Sequence, residues 1–317
     1  MGCPSLWRGQ GPLPGAGAPG LRDWTSLSPE PPDPPNRPRP SPTGDTGPVH
    51  ARSAVVDLYG DHLREHGWWA PVAGVVRLTQ ACGVTPAATR TAVSRLVREG
   101  WLAPRAVDGA RGYAATALAQ DRLRRAHGRI YATGPPAWDG RWHVVVVEHH
   151  GDRRRRDQVA ASLGYLGYAH LAAATWVSPW SSPELGAVLE AQGAGWTAWR
   201  GRPEGSRSPA ELAGRLWDLP GLATAYEDFA RALPPPGAGL ADLAPETAYP
   251  LRTRLVHEWR KFLFRDPGLP EEVLPSGWPA TTVRARLLSV AAELAPAAST
   301  FVGGAVRTAR PRVGPAA

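Results

Sequence analysis

The stretch TPAATRTAVSRLVREGWL, residues 85–102, decides the fold of the N-terminal part of this chain. Thr85 is a favoured N-cap, Pro86 suits the first helical position, and Gly100 is a typical C-terminal stop. The stretch therefore predicts a helix from Pro86 to about Glu99.

The segments around this helix complete a winged helix-turn-helix pattern over residues 52–118. Apolar spacing predicts a first helix before it and a short second helix near residues 75–81. After it, Asp108-Gly109 separates two short strands and is a strong signal for a tight hairpin, the wing of such a domain.

The predicted helix has two different sides. Its apolar side carries Ala92, Val93 and Leu96 at the spacing of a core face. Its opposite side has no acidic residue before Glu99 and presents groups that donate to base edges and phosphates. A surface helix with solvated arginines is the alternative reading. Together with the hairpin, the pattern predicts these DNA-binding residues: Thr85, Arg90, Thr91, Ser94, Arg95, Arg98, Arg105 and Arg111.

The rest of the chain predicts a central α/β domain and a helical C-terminal domain, which makes the fold class α+β. The β-α-β…α-β order after residue 142 indicates a ferredoxin-like arrangement. The predicted central elements are strand Trp142–Glu148, helix Arg153–Leu166, strand Ala172–Ser178, helix Pro183–Gln192 and strand Trp196–Arg200. The later predicted helices are 209–232, 246–264 and Thr281–Leu294.

These elements predict a division of the chain into three domains. We expect disorder in the Pro/Gly-rich tail 1–50, because such a segment buries too little apolar surface to offset its ordering entropy. The predicted parts are 1–50 tail, 52–118 winged helix-turn-helix, 119–135 linker with a helix Leu118–His127, 136–205 ferredoxin-like domain, 206–305 helical domain and 306–317 disordered tail.

The composition of the chain indicates its cellular compartment more clearly than its function. The net charge is +8, but Lys261 is the only lysine, so the arginine excess is weak evidence for a nucleic-acid partner. Cys3 and Cys82 cannot build a disulfide framework or a cysteine-rich zinc site, which favours the cytoplasm. No run approaches the length of a membrane span, so we expect no membrane association.

Several stretches resemble the phenylacetate-catabolism repressor (PaaX-like) family, in the family's order, from about residue 54 to 300. The most specific is LVHEWRKFLFRDP, residues 255–267, which is similar to the family's C-terminal signature. The others are the helix 87–102, Leu58-Tyr59-Gly60-Asp61, 137–147 and 175–179.

The resemblance implies a dimeric, cytoplasmic transcriptional regulator that binds an inverted-repeat operator in double-stranded DNA. It implies a central domain similar to CRISPR-adaptation nucleases and an effector that is an aryl-acyl-CoA such as phenylacetyl-CoA; we expect no cofactor. We expect the effector between the central and C-terminal domains, because apolar and basic groups coincide there. The predicted effector-binding residues are His257, Trp259, Arg260, Arg265 and Trp278. A packed helix and its terminator is the alternative reading of these residues. We expect a fragment that ends after Ala132, which contains the winged helix-turn-helix, to bind DNA weakly and not to respond to the effector.

Two other functions compete with the regulator. A metal-dependent nuclease would need clustered acids at strand ends, and the central domain offers only Glu148 and Asp139. His149 and His150 are neighbours at a strand end and would point to opposite faces, so we expect no metal site and no catalytic residue. A protein-interaction scaffold is the third possibility. The run 153–156 of four arginines is read either as a phosphate contact or as a solvated face.

Overall fold

The computed structural model describes residues 50–134, 137–148 and 153–308. Most of the predicted tails, His149-His150 and the two prolines at 135 and 136 lie outside these ranges. The N-terminal part contains three helices and a three-stranded antiparallel sheet. Its helices are α1 (Ala51–Asp57), extended by a π-helical turn (Leu58–His62) and a 3-10 turn (Arg64–His66), α2 (Val72–Ala81) and α3 (Pro86–Arg98). Its strands are β1 (Trp69–Pro71), β2 (Leu102–Val107) and β3 (Ala110–Ala115), in the order β1-β3-β2.

The tight turn between β2 and β3 forms as its two residues predict. Asp108 has φ 49° and Gly109 has φ 75°, and a two-residue hairpin turn of the I′ type needs positive φ at both positions. Glycine adopts such angles without strain, and aspartate does so more readily than most residues. The local pair therefore sets the register of the whole hairpin.

The helix predicted over Leu118–His127 is longer and is firmly docked. It is α4 (Ala117–Ile130), and the Ile130 carbonyl accepts a hydrogen bond from Trp259 Nε1 at 3.2 Å. The Arg129 guanidinium donates to the Leu263 carbonyl at 3.1 Å. The segment predicted as a linker thus contains a structural helix that packs against the C-terminal part.

The central part has the predicted ferredoxin-like topology. It comprises β4 (Trp142–Glu148), α5 (Arg153–Tyr165), β5 (Ala169–Ala172), β6 (Thr175–Ser178), α6 (Leu185–Ala191) and β7 (Gly195–Gly201). The sheet order is β5-β6-β4-β7, with every neighbouring pair antiparallel. One prediction was wrong: the single strand predicted over Ala172–Ser178 begins as β6 only at Thr175, and it forms a hairpin with the preceding β5, which was not predicted, through a turn at Ala173 with φ 44°.

The C-terminal part is helical. It comprises α7 (Pro209–Leu216), α8 (Leu219–Ala232), α9 (Pro245–Arg260) with a following 3-10 turn (Lys261–Phe264), a 3-10 turn at Glu271–Val273, and α10 (Pro279–Thr308). The predicted last helix, Thr281–Leu294, was too short. The helix continues through Pro296, and Val306–Thr308 of the predicted disordered tail are helical; residues 309–317 lie outside the described residues.

Packing explains why α10 continues. Its first half lies in a C-terminal core, where Leu287 and Leu294 are fully buried. Its second half enters the N-terminal core, where Val302 and Ala305 are 1% exposed. The approach to α2 is close, since a Cβ on Gly74 would stand 2.9 Å from the Ala305 carbonyl oxygen. Burial of this apolar face outweighs the hydrogen bond that a mid-helix proline removes.

Residues 279–307 of α10 are long and apolar enough, by length and composition, to cross a membrane. Of the most apolar 18-residue window, 44% is buried inside the protein. A core helix of a globular protein meets the same criteria. The helix α10 is such a helix, because its residues belong to two apolar clusters.

Candidate nucleic-acid interface and ligand cavity

The sequence around α3 produces the predicted capped helix. Thr85 Oγ1 accepts a hydrogen bond from the Ala88 amide at 3.3 Å, and Pro86 occupies the first turn. The apolar side is buried, as predicted, and it includes one polar residue that the apolar spacing did not single out. Thr89 is fully buried and shares a 2.7 Å hydrogen bond with Thr79 Oγ1. Because the Thr79 hydroxyl already donates to the Val75 carbonyl at 3.0 Å, Thr89 is the donor of this bond between α2 and α3.

The opposite side of α3 is a continuous polar surface. Its residues are all exposed: Arg90, Thr91, Ser94, Arg95 and Arg98. Thr91 Oγ1 donates to the Ala87 carbonyl at 3.1 Å, and Arg98 Nε donates to the Ser94 carbonyl at 3.4 Å. In the part of the chain that the structure describes, no carboxylate pairs with any of the three arginines on this surface. Their charges are therefore open to an anionic partner.

The two arginines of the hairpin do not share one surface. Arg105 lies opposite Gly112, and Arg111 lies opposite Ala106. Cross-strand partners share a face while successive residues alternate, so Arg105 and Arg111 project from opposite faces of the hairpin. Both are exposed, but a surface that presents one of them turns the other away.

A cavity of about 790 Å³ lies where the three parts of the chain meet. Its wall is formed by α1 and the π-helical turn, by α4, by the end of α5, by the loop after β6 and by the segment that follows α9. Seven aromatic residues line it: Trp101, Tyr131, Tyr165, Tyr168, Trp180, Trp217 and Phe264. Five arginines line it as well: Arg122, Arg125, Arg129, Arg260 and Arg265. The cavity therefore combines flat apolar surfaces with cations.

Only part of the predicted effector set reaches this cavity. Arg260 and Arg265 line it, but Trp259, Trp278 and His257 do not. Trp259 is 3% exposed and packs in the C-terminal core with its ring centroid 5.3 Å from that of Phe262. Trp278 packs edge-on against Tyr226 in the same core. The two tryptophans therefore pack in the core, as the alternative interpretation stated. The aromatic residues that line the cavity are ones that the sequence analysis did not group together.

Two buried carboxylates tie the N-terminal part to α9. Asp57 on α1 accepts a hydrogen bond from His257 Nδ1 at 2.6 Å and forms an ion pair with Arg260 Nε at 2.9 Å. All three side chains are nearly buried, at 7%, 10% and 13% exposure. We call these residues the Asp57 cluster. Because Asp57 and Arg260 also line the cavity, this cluster forms part of its wall.

The second carboxylate, Asp61, lies one turn further along. It pairs with Arg252 and accepts a hydrogen bond from the Tyr131 hydroxyl at 2.5 Å. Burial alone would raise the pKa of Asp61, but the adjacent His62, Arg252 and Tyr131 together hold that pKa below its ordinary value. Burial, with the charge of Asp61, raises the pKa of Tyr131, so its hydroxyl remains a donor.

The described residues of the central part include two acids, Asp139 and Glu148, that the sequence analysis weighed as candidates for a metal centre. Among the described residues no group of three His, Cys, Asp or Glu side chains could hold a metal ion. Asp139 instead accepts from the Arg141 amide at 3.0 Å and pairs with Arg200 at 3.3 Å. These contacts hold the loop before β4 in place.

Comparison with known proteins agrees with this arrangement of parts. Three family models match the chain in succession: the PaaX-like protein model over residues 50–118, the PaaX protein central Cas2-like domain over 135–213, and the PaaX-like protein C-terminal domain over 217–304. The Transcriptional repressor PaaX of Escherichia coli (strain K12) is 31% identical over 265 residues, which cover 80% of this chain and 84% of that protein. The solved structure of the uncharacterized protein Rv0674 from Mycobacterium tuberculosis superposes with a TM-score of 0.55 at 27% identity, over 79% of this chain and 98% of that one. The chain belongs to the PaaX-like protein family.

Proposed function

We propose that this chain is a DNA-binding transcriptional repressor and not an enzyme, and that it works in the cytoplasm. The observation that carries the proposal is the exposed side of α3, which presents Arg90, Arg95 and Arg98 without a carboxylate partner in the described residues. The E. coli relative is a transcriptional repressor, which agrees with this reading. The nuclease alternative is not favoured, since neither the relative nor the described acids support it.

In this proposal the N-terminal part acts as a winged helix-turn-helix. The α2–turn–α3 unit would place α3 in the major groove, and the β2–β3 hairpin would act as the wing. Because Arg105 and Arg111 project from opposite faces, only one of them would contact the same DNA surface as α3. The domain limits 52–118, 136–205 and 206–305 remain part of this proposal, with α10 contributing to both ends.

A homodimer on an inverted repeat is the second element of the proposal. Two copies of α3 would enter major grooves about one turn apart, near 34 Å, or a multiple of that. Light scattering should give a dimer, and footprinting should show two related half-sites. A monomer that protects one unrepeated half-site contradicts this element and leaves DNA binding itself intact.

The third element is an effector in the 790 Å³ cavity. Its aromatic wall suits an aryl group, and Arg260 and Arg265 suit a carboxyl, thioester or phosphate oxygen. Our leading candidate is an aryl-acyl-CoA such as phenylacetyl-CoA, bound through its acyl end. A ligand that draws Arg260 away from Asp57 would disturb α1, which packs on α3 and is joined to its C-terminus by a 2.7 Å Arg52–Glu99 ion pair. Such a ligand would release DNA only if it prefers the released state.

An electrophoretic shift with the DNA upstream of the gene tests the proposal directly. Wild type should bind a specific fragment, and Arg90→Ala should bind it roughly 10- to 100-fold more weakly if Arg90 reads a base. Arg215→Ala, an exposed arginine on α7, is the matched control and should bind like wild type. Phenylacetyl-CoA should release the complex. No specific shift with any intergenic fragment contradicts the repressor proposal.

A further inference from the structure

A second cavity, of about 340 Å³, shares the wall residues Asp61 and His127 with the large one. It is enclosed by the π-helical and 3-10 turns after α1, by α4, by α9 and by α10. From α10 come only uncharged residues: Ala295, Ala298, Ser299 and Val302. Every charged group of this cavity therefore stands on the wall opposite α10.

That wall is rich in cations. The arginines are Arg64, Arg124 and Arg252, the histidines are His62, His66 and His127, and the carboxylates are Asp61 and Glu65. Asp61 is already engaged by Arg252, so their charges offset each other. Arg124 has a 3.0 Å hydrogen bond to Gln120 and lies 5.4 Å from the Trp68 ring, neither of which neutralises it. Within the described ranges, Arg64 has no ion-pair partner.

Two of these histidines, His62 and His127, have pKa values below the ordinary value, and burial is the main cause for both. Burial is the largest cause that lowers the pKa of His62, to about 4, and Arg252 and His66 lower it further against the opposing effect of Asp61. Burial also lowers the pKa of His127, and Arg64 adds to that effect. Both rings are therefore neutral near pH 7, and an incoming anion would favour their protonation.

We propose that this second cavity is a phosphate-binding site. Arginine guanidinium groups match phosphate oxygens in charge and in hydrogen-bond geometry, and neutral imidazoles beside them can add donors as they take up protons. The cavity has room for one or two phosphate groups next to the small residues of α10. Asp61 and His127 line both cavities, so the two cavities are neighbours, and whether one ligand occupies both is a question for the test.

The ligand is thus a phosphorylated molecule, and its phosphates have two possible sources. They belong either to the effector in the large cavity, an extension that rests on the proposed function, or to a separate phosphate compound. Isothermal titration of the full chain with inorganic pyrophosphate, phenylacetyl-CoA and phenylacetate separates these sources. The test variant is Arg64→Ala with Arg124→Ala. The control is Arg254→Ala, an exposed arginine on α9 that lines neither cavity.

Wild type and the control should bind pyrophosphate, and the double variant should bind it at least about tenfold more weakly, because each lost hydrogen bond to a charged group is a substantial part of the affinity. If the double variant also binds phenylacetyl-CoA more weakly but phenylacetate unchanged, one ligand spans both cavities. If only pyrophosphate binding falls, the site serves a separate phosphate compound. Absence of pyrophosphate binding by wild type, or equal affinity in the double variant with an unchanged circular dichroism spectrum, overturns the site. An operator shift is scored separately, so failure here is distinct from failure of the repressor proposal.

Discussion

Replacing Asp57 by alanine should destabilise the protein more than any exposed ion-pair substitution. The change removes the carboxylate that holds both His257 and Arg260, whose side chains are 10% and 13% exposed. Removing one partner of a buried pair leaves an uncompensated charge and costs about 3–5 kcal/mol. That is a large fraction of the 5–15 kcal/mol or so by which native domains are stable.

The matched control is Asp121→Ala on α4. Asp121 pairs with Arg125 four residues along the same helix, but the two side chains are 52% and 64% exposed. Exposed pairs of this kind contribute about 0–1 kcal/mol, because water screens the charges and two long side chains lose freedom. Both variants remove an aspartate that pairs with an arginine, and they differ in whether that pair is buried or exposed.

Urea unfolding followed by circular dichroism and tryptophan fluorescence measures the difference. Asp57→Ala should move the midpoint far more than Asp121→Ala. The double variant Asp57→Ala, Arg260→Ala should be more stable than the sum of the single losses predicts, by about 1–3 kcal/mol, since it leaves no unpaired arginine. If Asp57→Ala and Asp121→Ala shift the midpoint equally, the Asp57 cluster does not join α1 to α9 in the way described.

Four further predictions follow from the geometry. Arg90→Ala should cost roughly 1–3 kcal/mol of specific DNA binding, measured against a scrambled operator. Arg98→Ala should instead weaken binding to all sequences and reduce the salt dependence by about one unit, in a titration of affinity against salt. The pKa of His62 falls from 6.5 in the unfolded chain to about 4, so the unfolded state takes up its proton first on acidification. Stability should therefore drop by about 3 kcal/mol as pH falls through that window, and His62→Gln should flatten the dependence in urea unfolding. Gly74→Val should lower the thermal midpoint, because its Cβ would stand 2.9 Å from the Ala305 carbonyl oxygen; an unchanged midpoint contradicts the α2–α10 contact.

Local signals in the sequence predicted local structure well. Thr85-Pro86 and Asp108-Gly109 act within one turn of the chain, and the helix and hairpin that they begin are present. The hairpin at Ala173 was missed because alanine carries no turn signal, and its positive φ is imposed by the pairing of β5 with β6. The end of α10 was missed because a proline argues locally for a stop, whereas the reason to continue is a core about 200 residues away in sequence.

The candidate sites also differ in whether local sequence or contacts between distant segments determine them. Periodicity placed all five polar residues of α3 on one exposed surface. The aromatic wall of the cavity, in contrast, comes from six separate segments of the chain, and no spacing rule relates Tyr131 to Trp180 or Trp217. The motif around Trp259 is conspicuous in the sequence, yet that side chain is 3% exposed because its size is used to fill a core.

The double packing of α10 has a consequence for the order of folding. The core around α1 and α2 is completed only by Val302, Ala305 and Val306, which are synthesised about 200 residues later. Until those residues leave the ribosome, the face of α2 around Gly74 lacks its contact with α10. A fragment that ends after Ala132 stops in this state, so we expect it to be poorly folded, in place of the independent weak binder that the sequence predicted. The N-terminal part should therefore reach its final structure only after α10 has been synthesised, and protection of α3 from hydrogen exchange in a nascent-chain series should rise only once α10 has emerged.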